Sequence, residues 1–121
     1  MIKVLIAEDN AVNRELLREL LEARDCDVAE ARDGQEALRI LESSKPDILL
    51  LDIGMPVLNG YELVRRIRAH PSLSNLPVLA ITAYAMHGDR EKILQSGFDG
   101  YVSKPIDARA LTEEMNKLLP V

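Results

Sequence analysis

The chain predicts an α/β fold built on a mostly parallel sheet. Five short strand-like runs alternate with helical patterns along its 121 residues. Three of the runs are apolar almost throughout, as strands covered by helices on both faces are. Acidic residues close two of these runs and a lysine follows the last. Charge therefore falls at the C-terminal strand tips, where open α/β sheets hold their ligands.

The first strand is expected over Ile2–Glu8, around Val4-Leu5-Ile6-Ala7. Asn10 is a plausible N-cap for a first helix whose inner face carries Leu16, Leu17, Leu20 and Leu21. A second strand, Asp27–Ala31, leads through the Asp33-Gly34 turn into a helix bearing Ala37, Leu38 and Leu41. The third strand, Asp47–Asp52, contains Ile48-Leu49-Leu50-Leu51. A loop punctuated by Pro56 and Gly60 follows it, then a helix with Leu63, Val64 and Ile67. Pro71, Ser72, Ser74 and Pro77 mark the loop before a fourth strand, Pro77–Thr82. The next helical stretch, Ala85 to Gln95, contains Gly88 and few apolar residues, so it is expected to be short and weakly anchored. Gly100–Ser103 forms the last strand. Asp107 caps a closing helix with Leu111, Met115, Leu118 and Leu119.

Length and composition fit one soluble globular domain over residues 1–121, with 47% hydrophobic and 29% charged residues. An aromatic content of 3% with no Trp gives an aliphatic core and few surfaces for base stacking. The net charge of −5 argues against a nucleic-acid partner. Cys26 is the single cysteine, so no intrachain disulfide forms and a reducing, cytoplasmic setting is expected. Apolar runs such as Ile48–Leu51 fall far short of the ~20 residues that span a membrane. Met1 leads directly into a strand pattern, without a signal peptide, which favours a chain complete in itself.

The pair Glu8-Asp9 ends one strand and Asp52 another, and gathering three like charges in one cleft is costly unless a cation neutralises them. Oxygen ligands alone suit a hard ion such as Mg²⁺. His70, His87 and Cys26 lie away from the expected strand tips, so soft metals fit poorly. Any one acid at a strand end can simply open a solvated loop. The joint arrangement with Lys104-Pro105 points instead to a metal and phosphoryl site.

The ordered pattern Glu8-Asp9-Asn10, Asp52-Ile53-Gly54-Met55-Pro56-x-x-Asn59-Gly60, Thr82-Ala83 and Lys104-Pro105 resembles the receiver domains of two-component response regulators over essentially the whole chain. Thr82-Ala83-Tyr84-Ala85-Met86 and Tyr101-Val102-Ser103-Lys104-Pro105-Ile106 are most similar to single-domain receivers and those of hybrid histidine kinases. The resemblance implies a flavodoxin-like, doubly wound sheet of five parallel strands in the order 2-1-3-4-5, with five helices. It further implies that Asp52 accepts a phosphoryl group from a phosphohistidine. Glu8, Asp9, Asp52 and the Gly54 carbonyl would serve Mg²⁺. Lys104 would meet a phosphate oxygen, Thr82 and Tyr101 would form a switch acting through the fourth helix and fifth strand, and Pro105 would follow a cis bond. Gly54 and Tyr84 occupy the two positions that tune phosphate lifetime in the family.

The implied partners are a sensor histidine kinase or a histidine phosphotransfer protein, and a downstream protein target. The implied state is a monomer or a phosphorylation-dependent dimer. The donor would dock on Asn13, Arg14, Leu17, Pro105 and Ile106, and the face from the fourth helix to the last would carry output. Such a chain is a phosphoacceptor that assists its own phosphorylation and dephosphorylation, not a turnover enzyme. A dehalogenase-type phosphatase would want an acid where Gly54 stands. A flavin-binding module would want Ser, Thr and Gly in place of Glu8-Asp9-Asn10 to cradle phosphate. An inactive receiver acting as a scaffold stays open, although every matched position is filled.

Overall fold

A computed structural model of the protein describes residues 1–55, 58–83 and 87–119. Five strands, β1 (Lys3–Ala7), β2 (Asp27–Ala31), β3 (Ile48–Asp52), β4 (Val78–Thr82) and β5 (Gly100–Ser103), alternate with five helices. The helices are α1 (Ala11–Glu22), α2 (Gly34–Ser43), α3 (Gly60–Ala69), α4 (His87–Gln95) and α5 (Ala108–Leu118). All strand pairs are parallel, in the order β2-β1-β3-β4-β5. The expected fold is the observed one. Ile2, Glu8, Asp47 and Pro77 fall just outside the strands they were expected to end, and proline supplies no ladder donor.

The apolar strands β1, β3 and β4 occupy the centre and divide their side chains by parity. Leu5, Ala7, Leu49, Leu51, Val78 and Ala80 pack with buried residues of α2, α3 and α4. Val4, Ile6, Ile48, Leu50, Leu79 and Ile81 pack with those of α1 and α5. Both faces of the sheet are thus covered, which is why these runs carry no polar alternation. The edge strand β2 does alternate, with exposed Asp27 and half-buried Val28.

Four of the helices, α1, α2, α3 and α5, start where a short polar side chain takes over an orphan amide. Asn10 accepts from Asn13 N at 3.0 Å, Asp33 from Glu36 N at 2.8 Å, Asn59 from Glu62 N at 3.0 Å and Asp107 from Arg109 N at 3.1 Å. In α1 the buried leucines are Leu17 and Leu21, while Leu16 is exposed, correcting its expected inward place. The inward stripe of α1 runs Leu17, Leu20, Leu21, an i, i+3, i+4 spacing, and Leu16 lies about 100° to one side of Leu17, off that stripe. α4 is short, buries Ile93 and leaves Leu94 exposed.

At the end of the sheet where strands begin, Arg68 of α3 ties several segments together. Its guanidinium donates to the carbonyls of Gly97, Ser74 and Leu76 at 2.9, 3.1 and 2.7 Å, and to Asp99 Oδ2 at 2.8 Å. Asp99 Oδ2 also accepts from Val78 N at 2.8 Å, at the start of β4. Gly97 has a φ of +113°, a backbone that side chains strain, and a Cβ there would press on Arg68 at 3.2 Å. Among the described residues no helix is long and apolar enough to cross a membrane.

Candidate functional site

The parallel register assembles the site. Ala7 of β1 lies beside Leu51 of β3, so the residues that follow them, Glu8 and Asp52, emerge together at the point where strand order reverses. Thr82 pairs with Ser103 at the ends of β4 and β5, and Lys104 N donates to Thr82 O at 2.8 Å. The Lys104–Pro105 bond is cis.

Carboxylate oxygens of Glu8, Asp9 and Asp52 lie within 4.8 Å of one another. Glu8, Asp52 and Thr82 are buried, whereas Asp9 is exposed at the mouth. Lys104 Nζ reaches Asp52 Oδ2 at 3.1 Å and Glu8 Oε1 at 3.3 Å. Only the first contact is aligned as a hydrogen bond, so the buried Oε1 of Glu8 has an ion-pair neighbour but no hydrogen-bond partner. Asp52 Oδ1 accepts from Gly54 N at 2.9 Å.

Burial, followed by the adjacent Asp52 carboxyl, pushes Glu8 up to about 8. Burial would also raise Asp52. The proton on Glu8, the Gly54 amide and Lys104 outweigh it and hold Asp52 below the ordinary carboxylate range. Burial would lower Lys104, but its hydrogen bond and charge attraction to Asp52, with the nearby Glu8, raise it. The site therefore retains a proton on one acid in preference to three bare charges under one ammonium.

That is the behaviour expected of a cation site. An unsatisfied buried oxygen, an all-oxygen donor set and an exposed third carboxylate suit a hard divalent ion that keeps part of its water shell. Glu8, Asp9 and Asp52 could hold such an ion.

Of the other expected residues, Tyr101 is half-buried against the α2–α3–α4 core, with Arg90 of α4 lying 5.4 Å from its ring centre. Leu17 is a correction. It is fully buried among Val4, Ile6 and Leu50, so it cannot present its side chain to a donor. Val12 and Leu16, at 74% and 39% exposure, are the large apolar residues that α1 offers to solvent. Asn13 and Ile106 are half-buried and Pro105 is exposed. Pro56 and Tyr84 lie outside the described residues.

Sequence reasoning missed two roles. Gly60 starts α3 against the end of β3, where a Cβ would meet Ile53 Cα at 2.6 Å and Asp52 O at 3.1 Å. Arg14 is folded back beneath the acidic loop, donating to Glu8 O at 2.9 Å and Asp9 O at 3.4 Å. A basic residue four positions after the capping Asn10 was the available signal, but its acceptors are main-chain carbonyls that no spacing encodes.

Comparison with known proteins agrees with this geometry. The family profile of the response regulator receiver domain matches residues 4–116. Hybrid signal transduction histidine kinase I of Dictyostelium discoideum is 44% identical over 94% of this chain, which spans 7% of that protein. The polar-differentiation response regulator DivK of Brucella anthropi is 39% identical, covering 96% of this chain and 94% of its own length. The receiver domain of sensor histidine kinase PA1611 from Pseudomonas aeruginosa, solved with a magnesium ion coordinated in its active site cleft, superposes with a TM-score of 0.89. It is 35% identical over 97% of this chain and 96% of that one. The chemotaxis response regulator CheY4 of Vibrio cholerae gives a TM-score of 0.92 at 27% identity, covering 98% and 99%. With the profile, the relatives and the strand order in agreement, the chain belongs to the response regulator receiver domain family of two-component signalling.

Proposed function

We propose that Asp52 is the phosphoacceptor of a receiver domain spanning residues 1–121, charged by a sensor histidine kinase or a histidine phosphotransfer protein. The observation that carries the reading is the convergence of Glu8, Asp9 and Asp52 within 4.8 Å, with Lys104 against two of them. An oxygen of Asp52 attacks the donor phosphorus, the P–N bond breaks, and its electron pair stays with the imidazole. Such a transfer needs positioning and charge neutralisation more than acid or base.

Glu8, Asp9 and Asp52, with the Gly54 carbonyl, would hold magnesium, which would supply positive charge to the phosphoryl oxygens. Lys104 turns from Asp52 to a phosphoryl oxygen. The hydroxyl of Thr82, at the tip of β4, hydrogen-bonds the group, and Tyr101 follows as α4 repositions. Between α4, β5 and α5 an open groove of about 390 Å³, lined by Arg90, Tyr101, Asp107 and Glu113 among others, provides the output face toward a downstream protein. A monomer that dimerises on phosphorylation through this face fits the same geometry. The donor docks on α1 through Val12 and Leu16, beside Asn13, Pro105 and Ile106. The protein acts as a cytoplasmic phosphoacceptor that assists its own phosphorylation and dephosphorylation, not as a turnover enzyme.

Incubation with radiolabelled acetyl phosphate and Mg²⁺ tests this. Label is expected on Asp52 and lost in Asp52→Asn and in chelator; equal labelling of Asp52→Asn overturns the reading.

A further inference from the structure

We propose that Arg14 is a positioning residue of the acidic site: one guanidinium fixes the backbone of the loop that carries Glu8 and Asp9, and so sets the cation affinity. This rests on the phosphoacceptor reading and goes beyond it, because Arg14 touches neither carboxylate through any contact seen here. Its Nη1 takes the carbonyls of Glu8 at 2.9 Å and Asp9 at 3.4 Å, two successive peptide groups. Its Nε pairs at 3.1 Å with Glu30 Oε1 on β2. Glu30 is itself held from its other oxygen by Arg18 Nε at 2.6 Å.

The loop is thus clamped along several directions. Glu8 N donates to Ala31 O at 3.1 Å, Asn10 caps α1, and Arg14 closes the remaining side. The Arg14 side chain is only 16% exposed, so little of it remains for a partner, contrary to the docking role expected from sequence.

The chemistry demands arginine. Two separate nitrogens meet the partners, Nε the carboxylate and Nη1 the carbonyls, in the fixed fork of a planar guanidinium, whereas a lysine brings a single nitrogen to one point. Groups that orient metal ligands through such outer contacts typically change metal affinity by about 10–100-fold when removed.

The test is the Mg²⁺ dissociation constant of the full chain, measured by calorimetry, with urea midpoints confirming the fold. Arg14→Ala and Arg14→Lys are each expected to weaken Mg²⁺ by about tenfold or more. Arg18→Ala, which removes an equal charge from the same Glu30, is expected to leave it within about twofold. Labelling by acetyl phosphate, which involves no protein donor, should slow at limiting Mg²⁺ and recover at saturating Mg²⁺. If Arg14→Ala does not fold, Arg14→Lys decides alone. Unchanged Mg²⁺ affinity in a folded Arg14 variant overturns the proposal, as does an equal loss in Arg18→Ala, which would make the effect one of net field. Failure to label Asp52 in the parent chain would instead sink the phosphoacceptor reading.

Discussion

Lys104 Nζ stands 3.1 Å from Asp52 Oδ2 and 3.3 Å from Glu8 Oε1, so a single ammonium spans the two buried carboxyls of the cleft. It occupies the electrostatic position that a divalent ion would also favour. Lys104→Met should therefore bind Mg²⁺ several-fold more tightly, because a competing cation is gone. In chelator the same variant should lose about 1–3 kcal/mol of stability, the cost of leaving buried acceptors unsatisfied. Calorimetry and urea unfolding measure the two effects, and tighter binding should not restore phosphoryl transfer.

The proton held by Glu8 gives the metal-free protein a pH signature. Its folded value of about 8 lies above the ordinary 4.5, so the folded state binds the extra proton. Stability then falls as pH rises between those values, the unfolded chain having already released its proton. The depressed Asp52 acts elsewhere, contributing stability that is lost only as pH drops below the ordinary range. Urea midpoints in chelator should decline from pH 5 toward pH 8. Glu8→Gln should flatten that slope, and Mg²⁺, which displaces the proton, should shrink it.

Leu16 and Leu17 adjoin in sequence but should answer to different assays. Leu17→Ala empties a fully buried position and should cost about 2–5 kcal/mol. Leu16→Ala and Val12→Ala should leave stability nearly untouched. Both should slow transfer from a phosphorylated histidine protein while sparing acetyl phosphate. Equal slowing with both donors would remove α1 from the docking face.

Gly60→Ala should destabilise the fold by about 1–3 kcal/mol, because the added methyl is pressed into the backbone of Asp52 and Ile53. Displacement of that backbone should also slow labelling of Asp52. Loss of stability with unchanged labelling would separate Gly60 from the site.

Arg68→Ala should cost about 2 kcal/mol or more, since charge-assisted hydrogen bonds to carbonyls are lost. Its Mg²⁺ affinity should stay at the parent value, because Arg68 sits where strands begin and the acids where they end.

What the sequence made legible follows from which interactions have a pattern. Val4–Ala7, Ile48–Leu51 and Val78–Ile81 are apolar without alternation because both faces are covered, so the α/β class was readable from hydropathy, while the strand order came from the family resemblance. Glu8, Asp9 and Asp52 were readable because acids at strand tips must meet once the strands are parallel and in register. Helix phase was less legible. Leu16, Leu17, Leu20 and Leu21 cover more than one stripe, and only packing decided that Leu17 turns inward. Arg14 and Arg68 were opaque, for each is defined by carbonyl oxygens contributed from other segments, and carbonyls carry no residue identity.

The acids and the lysine lie at the ends of β1, β3 and β5, with Glu8 and Lys104 separated by most of the chain. A chain in which β1, β3 and β5 have not yet joined one sheet does not hold Glu8, Asp52 and Lys104 in these contacts. Cation affinity should therefore arise only once the sheet has assembled, which would make it a reporter of finished folding.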